Sequence, residues 1–423
     1  MNRSFRYLSV LACLLASLLL ASGPTAHAQT FRGTILGTVN DSSGGAVAGA
    51  KVTIRNVNTG VERTTETTVD GQYIVPELPV GTYKVTIEKT GFQAAVTTGI
   101  VVDVATERRV DATLKPGELS QQIVVLAEEL PQVDTTENTL GGVLTQESVK
   151  DLPINGRDYT KLIFLNPGVA GSPDQITDSP GSFGEFSMNG ARGRSNNYLL
   201  DGTDMNDGYR NDPAINQGGV FATPSAILPI DAVAEMHVLS NFASEYGRNA
   251  GAIVNIVTKS GTNGFHGSAF EYFRNNALDA RNFFDSAPAP KAPFHNNQFG
   301  GSIGGPIAKD KLFFFGDYEG QRETVGVVTQ ACVPTQAQIA QAKQNVINSG
   351  GTITPLGLAL LNFWPSNAAN YIPGVVSNDS GCFNTSGVST PDYTAIAKSY
   401  NNLSSVIGKI DYDIDQHNIL TGR

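Results

Sequence analysis

The stretch Ala234–Asn275, AEMHVLSNFASEYGRNAGAIVNIVTKSGTNGFHGSAFEYFRN, decides how the chain is read, because two kinds of strand meet inside it. Ala252–Thr258 (AIVNIVT) is dense in β-branched residues, as a strand covered on both faces should be. Lys259–Gly264 (KSGTNG) then supplies turn chemistry. From Ser268 the pattern changes to alternation, with Ser268, Phe270 and Tyr272 on one side and Ala269, Glu271 and Phe273 on the other. A carboxylate between two rings suits either a soluble sheet or a barrel wall. The stretch therefore reads as a seam between two domains.

Beyond Gly267 the two faces of each strand differ, which is the pattern of a wall with lipid on one side and a polar lumen on the other. In Gln298–Ile307 the residues Phe299, Ile303 and Ile307 oppose Gln298, Ser302 and the glycines. In Val406–Ile414 the residues Val406, Ile410, Tyr412 and Ile414 oppose Lys409, Asp411 and Asp413. Leu312–Glu319 is expected to turn Phe314 and Tyr318 outward and Asp317 and Glu319 inward. The spacers are long at Asn276–Asn297 and Thr324–Tyr400 but short at Ala308–Lys311 and Asp415–Asn418. Outer-membrane barrels alternate long external loops with short periplasmic turns in the same way. Four strands and the start of a fifth are too few to close a barrel, so the chain reads as the first portion of a longer protein.

At the other end, Arg3 and Arg6 precede an apolar run, Tyr7–Ala21, and then Ala26-His27-Ala28, which is a secretory leader with an A-x-A cleavage site. A lipoprotein box at Val10–Cys13 is the competing reading, disfavoured because the apolar run continues past Cys13. Loss of residues 1–28 takes the net charge from −10 to −12, which argues against nucleic acid as a partner. No run after the leader is long enough to be a membrane helix, so membrane association has to use strands. Cys332 and Cys382 are the remaining cysteines, and in an oxidising compartment they either pair or stay as two thiols.

Between leader and seam, turn signals at Asp41–Gly45, Asn58–Gly60, Asp70-Gly71 and Thr90-Gly91 separate short strands at Gly33–Val39, Lys51–Arg55, Gln72–Val75, Thr82–Glu88 and Val101–Leu114. A small β-sandwich follows from that spacing. Lys115–Ser120 is a linker, and Gln121–Leu126 after it is apolar and β-branched. Gln146–Leu152 is a short helix candidate ended by Pro153, and Tyr159–Leu165 is stopped at Pro167. Further on come Asn189–Gly193 (NGARG) and Tyr198–Gly202 (YLLDG).

These residues carry two resemblances. Gly37, Val39, Asp41, Gly45, Val47, Asp70-Gly71, Tyr73, Gly81, Tyr83 and Gly91-Phe92 resemble the carboxypeptidase regulatory-like domain, an accessory sandwich related in fold to prealbumin and without peptidase chemistry of its own. Glu235, Val238, Tyr246-Gly247, Gly251, Val254–Ile256 and Thr258-Lys259 resemble the end of the plug and the first barrel strand of TonB-dependent outer-membrane receptors, most of all the Oar-like branch. Ser240–Phe242 stands where most members carry Arg-Gly-Pro.

The resemblance implies a mainly β chain: a leader at 1–28, a prealbumin-like sandwich at 29–116, a linker at 117–130, an α/β plug at 131–259, and the start of an antiparallel transmembrane β-barrel at 260–423. It implies that Ile123, Val124 and Val125 pair with TonB as a Ton box, although an ordinary edge strand would look the same. It marks Arg192, Gly193, Leu200, Asp201 and Gly202 as the plug signature, with Arg192 bracing a loop onto a carboxylate. It also implies an outer-membrane location, with sandwich and plug on the periplasmic side and Cys332 and Cys382 outside. The expected partners are TonB, outer-membrane lipid and an unidentified external ligand, saccharide or peptide. Phe183, Phe186 and Tyr209 are the candidates for touching that ligand. A surface adhesin or carbohydrate-binding protein without transport is the alternative.

Catalysis is not expected. Gly300–Gly304 matches G-x-S-x-G, but Gly305-Pro306 follows where an elbow needs a helix. The histidines and cysteines lack metal-ligand spacing, and Asp201, Asp204, Asn206 and Asp207 miss the calcium-loop pattern. No cofactor is expected.

Overall fold

The computed structural model describes residues 32–117, 122–126 and 140–423, apart from 153, 155–156, 158, 172–185, 193–194, 207–227, 243–245, 247–249, 281–290, 362, 364–392 and 417. The expected leader at 1–28, Phe183, Gly193, Tyr209 and Cys382 lie outside the described residues. The chain divides into two compact units: Met1–Ser268 with Gly301–Tyr318 and Ser405–Arg423, and Ala269–Gly300 with Glu319–Ser404.

The first nine strands are β1 (Gly33–Asp41), β2 (Lys51–Asn56), β3 (Glu62–Glu66), β4 (Gln72–Leu78), β5 (Gly81–Glu88), β6 (Ala94–Val102), β7 (Glu107–Arg109), β8 (Ala112–Leu114) and β9 (Gln122–Leu126). One sheet has the order β3-β2-β5-β6-β9; the other is β4-β1-β7, with β8 also on β1. Alternation places Val52 and Ile54 of β2 opposite Ile87 and Val85 of β5, and all four are shut away from solvent. Each such side chain stabilises the fold by about 1.5–3 kcal/mol relative to exposure. Gly37 is required by close approach, because a Cβ there would stand 2.0 Å from the Val110 carbonyl oxygen. The Tyr73 hydroxyl donates to that same oxygen at 2.6 Å, and burial raises its pKa.

The segment read as one strand at Val101–Leu114 is three pieces. β6 pairs with β5, whereas β7 and β8 pair in parallel with β1 in the other sheet. The chain crosses between sheets at Asp103–Thr106, and Ala105 takes the left-handed conformation there (φ 50°).

The middle strands are β10 (Leu140–Leu144), β11 (Val169–Ala170), β12 (Ser187–Met188), β13 (Asn197–Leu200), β14 (Thr203–Asp204), β15 (Val233–Asn241) and β16 (Ile253–Thr258). The five-stranded sheet has the order β10-β15-β16-β13-β14, and β11 pairs with β12. β16 is buried along its whole length, as its β-branched composition requires. It lies antiparallel to β15 and parallel to β13. Helix α1 (Gln146–Asp151) begins at Thr145, whose hydroxyl accepts from Ser148 N at 3.3 Å. A 3₁₀ turn, Tyr159–Leu165, adds Tyr159 and Ile163 to a core shared with Met236, Val254 and Ile256.

The last strands are β17 (His266–Asn275), β18 (Phe294–Ala308), β19 (Leu312–Ala331), β20 (Tyr393–Asp413) and β21 (Ile419–Gly422), each paired with the next. Their sheet is open among the described residues, ending at β17 and β21. β19 and β20 reach further into the expected Thr324–Tyr400 loop than its composition suggests. What remains of that loop carries α2 (Gln336–Asn348), with a capping box at Thr335 and Gln338, and α3 (Pro355–Leu361). No helix among the described residues is long and apolar enough to cross a membrane.

Burial in this sheet is inverted. Val406, Ile410, Leu420, Ile303 and Ile307 are exposed, whereas Asp317, Ser405, Lys409, Asn296 and Gln298 are closed off. Val406 is 74 % exposed and Lys409, three residues on, only 5 %.

Candidate functional site

Two arrangements place residues singled out in the sequence, and a third joins residues that the sequence does not connect. The first concerns Gln122–Leu126, which holds Ile123, Val124 and Val125. It forms β9 and lies parallel to β6, with Ala95 opposite Ile123, Val96 opposite Val124 and Thr97 opposite Val125. β9 is the terminal strand of its sheet among the described residues, and Val124 is exposed. A β-branched run after a linker is thereby ordered as an edge strand.

The second arrangement centres on Asp201. β13 delivers Leu200 into the buried core that β15 and β16 also line, and the chain then reverses through Asp201 (φ 47°) and Gly202 (φ 74°). Asp and Gly tolerate that left-handed geometry better than other residues. The reversal aims the Asp201 carboxylate at the end of β16. Thr258 N donates to it at 2.9 Å, Thr258 Oγ1 at 2.7 Å and Arg423 at 2.9 Å. Lys409 Nζ stands 4.0 Å from Asp201 and donates to the Thr258 carbonyl at 3.2 Å. Asp201 and Lys409 are both almost fully buried, so each ion is compensated chiefly by its neighbours in this knot. Arg192 is exposed, and its carbonyl accepts from Ser195 N at 2.8 Å.

Nearby, Asn206 accepts from Tyr198 N and donates to the Asn196 carbonyl, and Asp204 accepts from Asn206 N. The oxygen-rich turn is thus spent on backbone groups; Asp207 lies outside the described residues. Phe186 needs correcting as a ligand-contact candidate. It is 2 % exposed and packs edge-on against Phe164 and Tyr198, both centroids at 6.3 Å, because the chain enters β12 directly after it.

The third arrangement was not anticipated. Glu235 and His237, on alternate positions of β15, grip one residue of the sandwich from two sides. Val104 N donates to Glu235 Oε2 at 2.8 Å, and His237 Nδ1 donates to the Val104 carbonyl at 3.1 Å. Asp103 beside it pairs with Arg108. Burial, then the negative charge of Asp103, pushes the Glu235 carboxyl up to about 7, while burial lowers His237. The i, i+2 spacing of two titratable residues sets both on one face of β15, but nothing in the sequence points from them to Val104.

A cavity of about 650 Å³ opens beside these groups, with Arg63, Tyr83, Glu235, Phe313, Lys409 and Asp411 in its walls. Both signs of charge line it. Ser302 of the G-x-S-x-G match lies within β18, its hydroxyl 2.9 Å from that of Ser268, and the strand runs on to Ala308 with no turn into a helix. Cys332 is disulfide-bonded.

Comparison with known proteins adds the following. Residues 257–423 match the outer membrane beta barrel domain model, and residues 34–115 match the carboxypeptidase regulatory-like domain model. The TonB-dependent transporter Oar of Myxococcus xanthus is 30 % identical over 70 % of this chain and 27 % of its own length. The probable TonB-dependent siderophore receptor PirA of Acinetobacter baumannii is 27 % identical over 50 % of this chain and 26 % of its own. The crystal structure of the outer membrane transporter YddB from Escherichia coli covers 65 % of this chain and 31 % of that one, at 16 % identity and a TM-score of 0.37. The chain spans about a quarter of the length of the curated relatives it matches.

Proposed function

We propose that the chain, which belongs with the Oar-like TonB-dependent outer-membrane transporters carrying an N-terminal carboxypeptidase regulatory-like domain, takes up an external ligand, with energy transmitted through TonB remodelling the plug to admit it. In this reading β1–β8 form a prealbumin-like sandwich in the periplasm and β9 is the contact strand for TonB. Residues 131–259 form the plug, and β17–β21 begin the barrel wall, with the Cys332 loop outside. The inverted burial of β17–β21 carries the reading. A soluble sheet that exposes Val406 and Ile410 while closing off Lys409 and Asp317 loses free energy on both faces, whereas lipid outside and a plug inside reverse both signs.

In the mechanism that follows, Asp201 holds the end of β16 and Lys409 of the wall in one ionic knot, so movement of the plug has to break it. Force on β9 reaches the plug through the sandwich, whose Val104 is held by Glu235 and His237. The ligand is an external solute, saccharide or peptide in class.

Deletion of 122–126 in the intact gene product tests the reading. Uptake should be lost while the amount at the cell surface is unchanged; retained uptake removes TonB coupling through this segment. Candidate solutes are screened by growth on each as sole carbon source, comparing cells with and without the gene.

A further inference from the structure

We infer that the crossing Asp103–Thr106 of the sandwich is a strap over one face of the sheet β10-β15-β16-β13-β14, shut in the resting protein and lifted before that sheet can rearrange. This rests on the reading of the chain as an energised transporter, and it gives the N-terminal sandwich a role: it is a catch on the plug.

Strand register defines the covered face. His237 stands opposite Asn255 and Leu239 opposite Ile253, while Leu199 lies beside Asn255 on the other neighbour of β16. Side chains directly opposite one another share a face. Ala105 packs on the cluster of Leu199, Leu239, Tyr246 and Ile253. Next to it the Val104 N–H and carbonyl are held by Glu235 and His237. One apolar contact and two hydrogen bonds thus close the face.

What the strap shuts in opposes a permanent seal. Asn255 is fully enclosed, and neither its side-chain oxygen nor its nitrogen has a hydrogen-bond partner. A buried polar group left in that state raises the free energy of the closed form. Ala105 adds to it, because an alanine held at φ 50° is in the left-handed region. The closed form therefore combines specific holding contacts with two unfavourable terms, as a catch built to open should.

The sandwich has a second foot. The turn between β2 and β3 rests on the seam: Asn263 N donates to the Asn58 carbonyl at 3.0 Å, and Asn263 Nδ2 donates to the Thr59 carbonyl and to Asp310 Oδ1, both at 2.7 Å. Gly60 is admitted there because a Cβ would stand 2.0 Å from Asp310 Oδ1. Asp310 belongs to the short turn between β18 and β19, so the sandwich grips the sheet with one foot and the base of the wall with the other.

The experiment follows a buried thiol in cells making the intact gene product. Leu239→Cys puts a thiol in the cluster that Ala105 covers, where Leu239 is 1 % exposed. It should react with N-ethylmaleimide about tenfold faster or more in energised cells than in cells treated with a protonophore, with the labelled peptide identified by mapping. Gly60→Cys with Asp310→Cys staples the second foot, since a Cβ at Gly60 would stand 3.1 Å from Asp310 Cγ. The oxidised staple should hold labelling at the slow rate in both conditions. Fast labelling in the stapled receptor, or slow labelling in every state, overturns the inference and leaves the transporter reading to the uptake assay. Labelling that needs energy but persists after deletion of 122–126 keeps the strap and removes β9 as the TonB contact. If Leu239→Cys does not reach the surface, Asn255→Leu decides. Removing the unpaired amide should slow hydrogen exchange of the Val104 N–H in the purified receptor about tenfold; equal or faster exchange contradicts the proposal.

Discussion

The sheets at the two ends of the chain use the same alternation and bury opposite halves of it. In β2 and β5 the aliphatic residues Val52, Ile54, Val85 and Ile87 are enclosed, and Lys51, Thr53 and Arg55 meet solvent or its border. In β20 the aliphatic residues Val406 and Ile410 stand open, and Ser405 and Lys409 are enclosed. Period two says only that a strand has two unlike faces. Which face is turned inward depends on what lies outside, and this contrast within one chain is what the membrane-wall reading rests on.

The largest expected effect falls on the apolar interior. Ile54→Asp should destabilise the sandwich by about 4 kcal/mol or more, enough to abolish its cooperative unfolding transition in a melt followed by circular dichroism. An Ile54→Asp melt within a few degrees of wild type would show that this core does not hold the domain. Asp201→Ala comes next. It strips the acceptor from Thr258 and leaves Lys409, 5 % exposed, without its nearest carboxylate, so a loss of about 3 kcal/mol is expected in urea unfolding. Asp201→Asn keeps an acceptor for Thr258 and should cost less; equal losses would deny the ionic part.

The contact at Val104 sharpens the comparison through pH. Glu235 keeps a proton in the folded state up to about pH 7, whereas the unfolded chain releases it from about 4.5. Stability present at low pH is therefore lost as pH rises through that window, by up to roughly 3 kcal/mol. His237, lowered by burial, works in the opposite direction: stability falls as pH drops below its ordinary 6.5, because the unfolded chain takes the proton first. The two slopes oppose each other below about pH 6.5. Glu235→Gln should unmask the acid-side loss in a series of melts from pH 5 to 8, and an unchanged series would remove Glu235 as a titrating group. Smallest of all, Glu62→Ala, which breaks a half-exposed pair with Arg55 at 3.4 Å, should shift stability by no more than about 0.5 kcal/mol.

What was legible in the sequence follows from the same physics. The dyad at Val406–Ile414 and the apolar density of Ala252–Thr258 are local signals, and both stretches are strands, inverted in one case and buried throughout in the other. β3 was not legible, because Glu-Arg-Thr-Thr-Glu is polar on both faces and exists as a strand only by pairing with β2. The break between β6 and β7 was hidden because both halves look extended; only pairing with different sheets separates them. The grip of Glu235 and His237 on Val104 joins residues more than 130 positions apart, and no local pattern encodes it. Phe186 misled because glycines and polar residues surround it in sequence, while its ring is enclosed by Phe164 and Tyr198.

The face of β20 offers the most direct test. Single nitroxide labels at each of Ser405 to Ile410, in the intact protein reconstituted into liposomes, report collision with oxygen, which concentrates in lipid, and with a water-soluble nickel chelate. Oxygen accessibility should peak at Val406, Gly408 and Ile410 and drop at Ser405, Ile407 and Lys409. High nickel accessibility at Val406 and Ile410 would place that face in water and contradict a membrane wall.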